Sequence, residues 1–200
     1  MPTTEIAIMP LKAGADIGDY ESPAASVLNN TFDTLRTMDG MQQLNFGTQL
    51  EGPVEAAAHD QSVDFMASEA YGPFMQRAGA IVDGEVSIVH ADFKPEGALS
   101  KAFSAPVTEV ATFYFHGEPP SDYVENVGKL DKTLQSVDGY LGYAIGITHE
   151  TVEKEDVKGK AAVVTIGWQT KEAHMAFRET QAFKDNIHLL RSESKKVTMW

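Results

Sequence analysis

Thr4-Glu5-Ile6-Ala7 returns as Thr108-Glu109-Val110-Ala111, and Leu35-Arg36-Thr37-Met38-Asp39-Gly40 returns as Leu134-Gln135-Ser136-Val137-Asp138-Gly139. After each Asp-Gly a further glycine follows seven residues on, at Gly47 and Gly146. Glu69-Ala70 with Phe74 then matches Glu172-Ala173 with Phe177, in the same order. Ordered matches at a spacing of about a hundred residues read as one module written twice. The offset is 104 at Thr4, 99 at Asp39 and 103 at Glu69, and the changes fall in expected loops, where insertions are tolerated.

Each copy reads β-α-β-β-α-β. In the second, Thr108–His116 is rich in β-branched and aromatic residues, as strands are. Gly117-Glu118-Pro119-Pro120 ends it. Ser121 or Asp122 then caps a helix with Val124, Val127, Leu130, Leu134 and Val137 at three- and four-residue spacing. Asp138-Gly139 stops this helix. Tyr140–His149 is the second strand, 150–160 a charged hairpin loop and Ala161–Trp168 the third strand. Thr170 caps a helix to about Thr180, 182–190 is a short extra helical turn, and a last strand starts at Lys195 and is expected to continue past Trp200. In the first copy the strands are expected at Glu5–Leu11, Met41–Leu50, Ser62–Met66 and Glu85–Phe93, with helices at Ala24–Met38 and Ser68–Arg77. Pro95, Gly97 and Pro106 mark a linker. The domains are therefore 1–94, a linker 95–106, and 107–200.

Composition bounds the function. With 42% hydrophobic and 22% charged residues the chain is an ordinary globular one. No run approaches the roughly 18 apolar residues of a membrane span, and Met1–Glu5 has no basic segment of a secretory leader. A cytoplasmic protein without membrane partners is expected. The absence of cysteine excludes disulfides, thiolate metal sites and a cysteine nucleophile. The net charge of −13 repels phosphate backbones, so nucleic acid is not an expected partner. Residues 1–100 carry 15 acids and 4 bases; residues 101–200 carry 14 and 12. Either the imbalance serves solubility or only one half meets a substrate.

A doubled β-α-β-β-α-β module whose helix ends in Asp-Gly and whose third strand ends in an aromatic before a helix resembles the dimeric α/β barrel superfamily, in its antibiotic biosynthesis monooxygenase (ABM)-like form. Val137-Asp138-Gly139-Tyr140 and Trp168-Gln169-Thr170-Lys171-Glu172-Ala173-His174 carry the resemblance, which is clearer in the second copy. It implies an α+β fold in which two ferredoxin-like repeats form a pseudo-dimeric α/β barrel, as a monomer or a homodimer. It also implies functions that range over cofactor-free oxidation of aromatic polyketides, cyclisation, acid–base lyase chemistry and haem degradation. Fold alone does not choose among them. Oxygenases of this group carry an asparagine four residues before the third-strand tryptophan; Val164 and Gln61 (before Phe65) stand there in this chain, and Trp168 alone carries over.

Side chains alternate along a strand, so Gly142, Ala144 and Gly146 form a small stripe, and Gln43, Asn45 and Gly47 a polar one. An unpaired buried amide costs roughly 1–3 kcal/mol. Gln43 and Asn45 therefore either face a ligand or pair within a polar seam, and the small stripe either leaves room for a ligand or admits a helix. Asp64, aligned with Gly167, is a candidate general base if buried, or a solvated strand end. His90 is either a proton relay or a packed histidine. Tyr143 either protonates an enolate or fills the core; His149 either joins it or is solvated at the strand end. Trp168 either walls an aromatic pocket by stacking or is plain core. His116 with Glu118 and Glu172 with His174 lack metal-ligand spacing, nothing singles out a haem ligand, and no nucleophile elbow, P-loop or dinucleotide fingerprint occurs. The expectation is a small-molecule enzyme that acts on an aromatic or polyketide-like substrate by acid–base chemistry (oxygenation, cyclisation or elimination), with no metal and no organic cofactor. Asp64, His90, Tyr143 and His149 are its catalytic candidates, and Gln43, Asn45 and Trp168 its substrate-binding ones. The alternative is a non-catalytic binding or stress-associated barrel protein.

Overall fold

The computed structural model describes residues 3–50, 55–60, 69 and 71–200, with 55–60 given by their backbone path. The chain is α+β, and it divides into two compact units at residues 2–90 and 91–200.

The first unit runs β1 (Thr4–Pro10), α1 (Pro23–Arg36), β2 (Asn45–Thr48), β3 (Glu55–Asp60), α2 (Tyr71–Ala78) and β4 (Ser87–Lys94), with strand order β4-β1-β3-β2. Ser22 caps α1 by accepting a hydrogen bond from the Ala25 amide, and proline opens the helix, where its missing N–H costs nothing. The helix buries Leu28, Phe32 and Leu35 with Ile17 and Ile81.

One expectation shifts here. The third strand was expected at Ser62–Met66; the strand that pairs with β1 and β2 is Glu55–Asp60. Glu5 pairs with Asp60 as Glu109 pairs with Ile166, an offset of 106. In the second strands Asn45 lies across from His59, and Ala144 across from Thr165, which preserves the offset of 99. The whole difference of seven residues thus sits in the connection between second and third strands, which is the longer one in the second unit. A short connection brings the third strand forward in sequence. Asp64, Gln61 and Phe65 lie outside the described residues.

The second unit adds, after residues 91–94 of β4, α3 (Ala98–Phe103), β5 (Val107–Tyr114), α4 (Tyr123–Leu134), β6 (Tyr140–Thr148), β7 (Val152–Lys154), β8 (Val157–Gly159), β9 (Ala161–Trp168), α5 (Lys171–Glu179), α6 (Gln181–Arg191) and β10 (Lys196–Met199). Its strand order is β10-β5-β9-β6, with β4 residues 91–94 antiparallel to β6. β9 is central and buried along its full length, which explains its unbroken run of Ala, Val, Thr and Ile rather than an alternating pattern. The charged hairpin forms the two-stranded ribbon β7–β8.

The stretch expected as linker holds α3, and this helix decides the meaning of the small stripe. A β-carbon added to Gly142 would lie 3.3 Å from the Lys101 side chain, and one on Gly167 would lie 2.9 Å from Ala105 Cβ and 3.1 Å from the Ala102 carbonyl. Gly146 makes the same allowance for Ala91, at 2.8 Å. Small residues are there so that a helix and a strand can approach, and the stripe is filled.

On the opposite face of this sheet α4, α5 and α6 close a core of Phe113, Phe115, Tyr123, Val127, Leu130, Leu134, Ile145, Val164, Ile166, Trp168, Phe177 and Leu190. Burial of a side chain of this size contributes roughly 1.5–3 kcal/mol, and Tyr123 also donates its hydroxyl to the Leu190 carbonyl at 2.6 Å, tying α4 to α6. The expected short helical turn at 182–190 is a full helix of 11 residues, capped by Thr180 through the Phe183 amide.

Candidate functional site

Glu109 sits in β5 between valine and threonine neighbours, on the face that also carries Phe113. Its cross-strand partner is Ile166, and Trp168, paired with Val107, lies two pairs further along the same two strands and so on the same face. Thr170 accepts a hydrogen bond from the Ala173 amide and so starts α5 immediately after Trp168. The first turn of that helix carries His174 back over the indole. The rings of Trp168 and His174 stack with centroids 5.3 Å apart and planes 25° apart. Phe177, three residues further along α5, packs against the same indole with centroids 5.8 Å apart.

Three polar groups converge at this point. Trp168 Nε1 donates to Glu109 Oε2 at 3.3 Å, and His174 Nε2 lies 3.3 Å from the same oxygen. Trp168 is fully buried, and the side chains of Glu109 and His174 are only 12% and 15% exposed. A carboxylate withdrawn from water without partners costs several kcal/mol. The indole N–H offsets part of that cost, and the imidazole at 3.3 Å adds to the offset when it carries a charge. In the tautomer with its proton on Nε2, the imidazole has Nδ1 left to accept a proton.

The cluster forms one wall of a cavity of about 40 Å³ between the sheet and helices α4–α6. Phe113, Ile166, Phe177 and Phe183 are among its apolar lining, and Arg178, Arg191, Val197 and Met199 also line it. The volume admits roughly three water molecules. It is well below the roughly 300 Å³ of a site that encloses a drug-sized ligand. Among the described residues no group of three or more His, Asp or Glu is placed to hold a metal ion.

Of the residues of the second unit singled out in the sequence, Trp168 belongs to this cluster, and Tyr143 and His149 stand outside it. Tyr143 lies half-buried on the α4 side of β6. A one-residue bulge at Leu141 puts Tyr140 opposite Trp168 and Gly142 opposite Gly167, so Tyr140 and Tyr143 both pack into the helix-side core. Burial first, and then the charge of Asp131, raise the Tyr143 phenol above its ordinary value. Tyr140 is raised further, by burial and then by its hydrogen bond to Asp131. Such phenols are proton donors, not phenolates. His149 pairs with Asp92 at 3.2 Å in an open setting, both side chains more than 40% exposed. In the first unit, Gln43 Nε2 donates to Asn45 Oδ1 at 3.2 Å, and His90 Nε2 lies 3.2 Å from Glu5 Oε2. Asp64 lies outside the described residues.

Sequence reasoning passed over Glu109 and set His174 aside. A signal was nevertheless present: Glu5 and Glu109 are the same position of the repeated Thr-Glu-x-Ala motif, a charged residue recurring inside an apolar strand. Each glutamate holds a histidine, supplied by β4 in the first unit and by α5 in the second.

No family model matches the chain, and no curated protein matches its sequence. Solved structures do resemble it. One described as an anthrone oxidase-like protein superposes with a TM-score of 0.69 over 99% of this chain and 89% of its own, at 11% identity. A "putative monooxygenase" of Fusobacterium nucleatum gives 0.59 over 99% and 89%, at 12% identity. A "putative chlorite dismutase" gives 0.60 over 100% and 94%, also at 12%. At such identities the likeness is one of fold, and it extends over nearly the whole chain.

Proposed function

We propose that the protein is a small-molecule enzyme of the oxidase type, acting on an aromatic or polyketide-like substrate by acid–base chemistry at the Glu109–His174 pair. The observation that carries this reading is the convergence of a buried carboxylate, an imidazole and an indole N–H on one wall of an aromatic-lined cavity. Glu109 orients His174, and His174 Nδ1 takes the proton of an acidic C–H or phenol in the substrate. The resulting anion is delocalised over the aromatic system and stacks on the ring set around Trp168. With an anthrone-type methylene, the anion then reduces dioxygen: the CH2 group loses two hydrogens, one oxygen atom becomes the new carbonyl, and the other leaves as water. Elimination or cyclisation would use the same proton transfer without dioxygen.

The fold reading behind this is that residues 1–94 and 107–200 are two ferredoxin-like copies whose sheets make a pseudo-dimeric α/β barrel in one chain. The same strand order in the two units (β4-β1-β3-β2 and β10-β5-β9-β6) supports it, as do the shared motifs. The two glutamate–histidine pairs differ in origin, so one working pocket, in the second copy, is proposed.

A second reading, a binding protein without chemistry, is favoured by the cavity volume of about 40 Å³. An oxygen-electrode assay with an anthrone separates the two. Turnover by the wild type that falls at least about 100-fold in His174→Ala and Glu109→Gln supports the enzyme. Turnover that survives both changes removes this site from the reaction. Binding with no turnover establishes the second reading.

A further inference from the structure

The chain has four arginines, and two of them, Arg178 and Arg191, line the same cavity. The other two are engaged locally: Arg36 pairs with Asp33 at 2.8 Å, and Arg77 donates to Thr34 Oγ1 at 2.8 Å. No hydrogen bond or ion pair of either the Arg178 or the Arg191 guanidinium occurs among the described residues. In a chain of net charge −13, two guanidinium groups without carboxylate partners beside one apolar cavity are out of keeping with their surroundings. The one acid lining the cavity, Glu109, is taken up by Trp168 and His174.

Resting on the aromatic-pocket reading above, we propose that the site selects planar aromatic carboxylates, the ring entering among Phe113, Trp168, Phe177 and Phe183 and the carboxylate held by Arg178 and Arg191. Helical spacing brings these groups into line. His174 and Arg178 are four residues apart on α5, as are Ile187 and Arg191 on α6, so each arginine lies one turn along the helix from a residue that lines the cavity. The planar guanidinium fork grips a carboxylate through two parallel hydrogen bonds and lies flat on aromatic faces. A ring needs more than the present volume. The long side chains of Arg178 and Arg191, and Met199 at 42% exposure, are the groups that can swing outward to admit one.

The test is titration of the full chain, by calorimetry and tryptophan fluorescence, with anthraquinone-2-carboxylate and with the neutral anthraquinone-2-carboxamide. The wild type is expected to prefer the carboxylate by at least about tenfold at low salt, and the preference is expected to shrink as salt is added. The double variant Arg178→Gln/Arg191→Gln, checked for an unchanged melting curve, is expected to bind the carboxylate no better than the carboxamide. Equal affinities in the wild type, or a preference that survives the double variant, would overturn the anion site while leaving the aromatic pocket intact. Failure of both compounds to bind would overturn the pocket reading and this proposal together.

Discussion

Trp168 and His174 stack at 5.3 Å, and each has a ring nitrogen 3.3 Å from Oε2 of Glu109. The indole that anchors the core also supplies a donor to the carboxylate. The two roles separate on mutation. Trp168→Phe keeps most of the packing and removes the donor, so a loss of roughly 1–3 kcal/mol in urea unfolding is expected. Trp168→Ala is expected to cost about 3–5 kcal/mol. Glu109→Gln, nearly the same shape, should change stability by no more than about 1 kcal/mol while suppressing turnover. A Glu109→Gln protein that unfolds as readily as Trp168→Ala would make the carboxylate purely structural.

The two Asp-Gly motifs look alike and should respond differently to the same change. Gly40 and Gly139 both have positive φ, at 90° and 80°. A β-carbon on Gly40 meets nothing within 4 Å, whereas one on Gly139 would lie 2.5 Å from Ala173 Cβ. Gly40→Ala therefore pays only the left-handed strain of about 1–2 kcal/mol. Gly139→Ala adds a clash that pushes α5, and with it His174, away from Trp168. Thermal melts should rank Gly139→Ala clearly below Gly40→Ala, and Gly139→Ala should also lose activity. Equal melting temperatures would show that α5 yields freely.

Alkaline pH should destabilise the second unit. Burial raises Tyr123 and Tyr140 above the ordinary tyrosine value near 10, and burial with the Asp131 charge raises Tyr143. Above about pH 10 the unfolded chain releases these protons and the folded chain retains them. The unfolded state then binds fewer protons, so stability, complete below that pH, declines as pH rises. Melting temperatures from pH 8 to 11 should fall more steeply above pH 10, and less steeply in Tyr140→Phe. An identical decline in the variant would assign the effect to other groups.

His149→Ala should be nearly silent. Its partner Asp92 and the imidazole are each more than 40% exposed, and such pairs contribute about 0–1 kcal/mol. Removal of His174 strips a partner from a carboxylate only 12% exposed and should cost more. Chemical denaturation of the two variants side by side checks the order; a larger loss for His149→Ala would reverse the assignment of the site.

The parts of the fold legible in the sequence were those set by local rules. The buried stripe of α4 was visible in the spacing of Val127, Leu130 and Leu134, and the expected cap at Thr170 stands where α5 begins, whereas Asp122 precedes α4 without a side-chain cap bond. The second-strand alignment of Asn45 with Ala144 emerges again from the pairing with β3 and β9. Less legible was the third strand of the first copy, since no local signal states how long a hairpin connection is. The small stripe of β6 also had two readings, and only the approach of α3 separates them.

The candidate site divides in the same way. Residue order alone determined that short motifs recur, that Glu5 and Glu109 hold the same place in one of them, and that Trp168 closes a strand just before a helix. These follow from periodicity and turn chemistry, which act between near neighbours in sequence. Only the tertiary structure decided that Glu109, Trp168 and His174 share one oxygen, because 59 residues separate the first two and a strand register joins them. The burial that makes a carboxylate–imidazole pair chemically useful is a property of packing, and β9, α5 and α6 create it together.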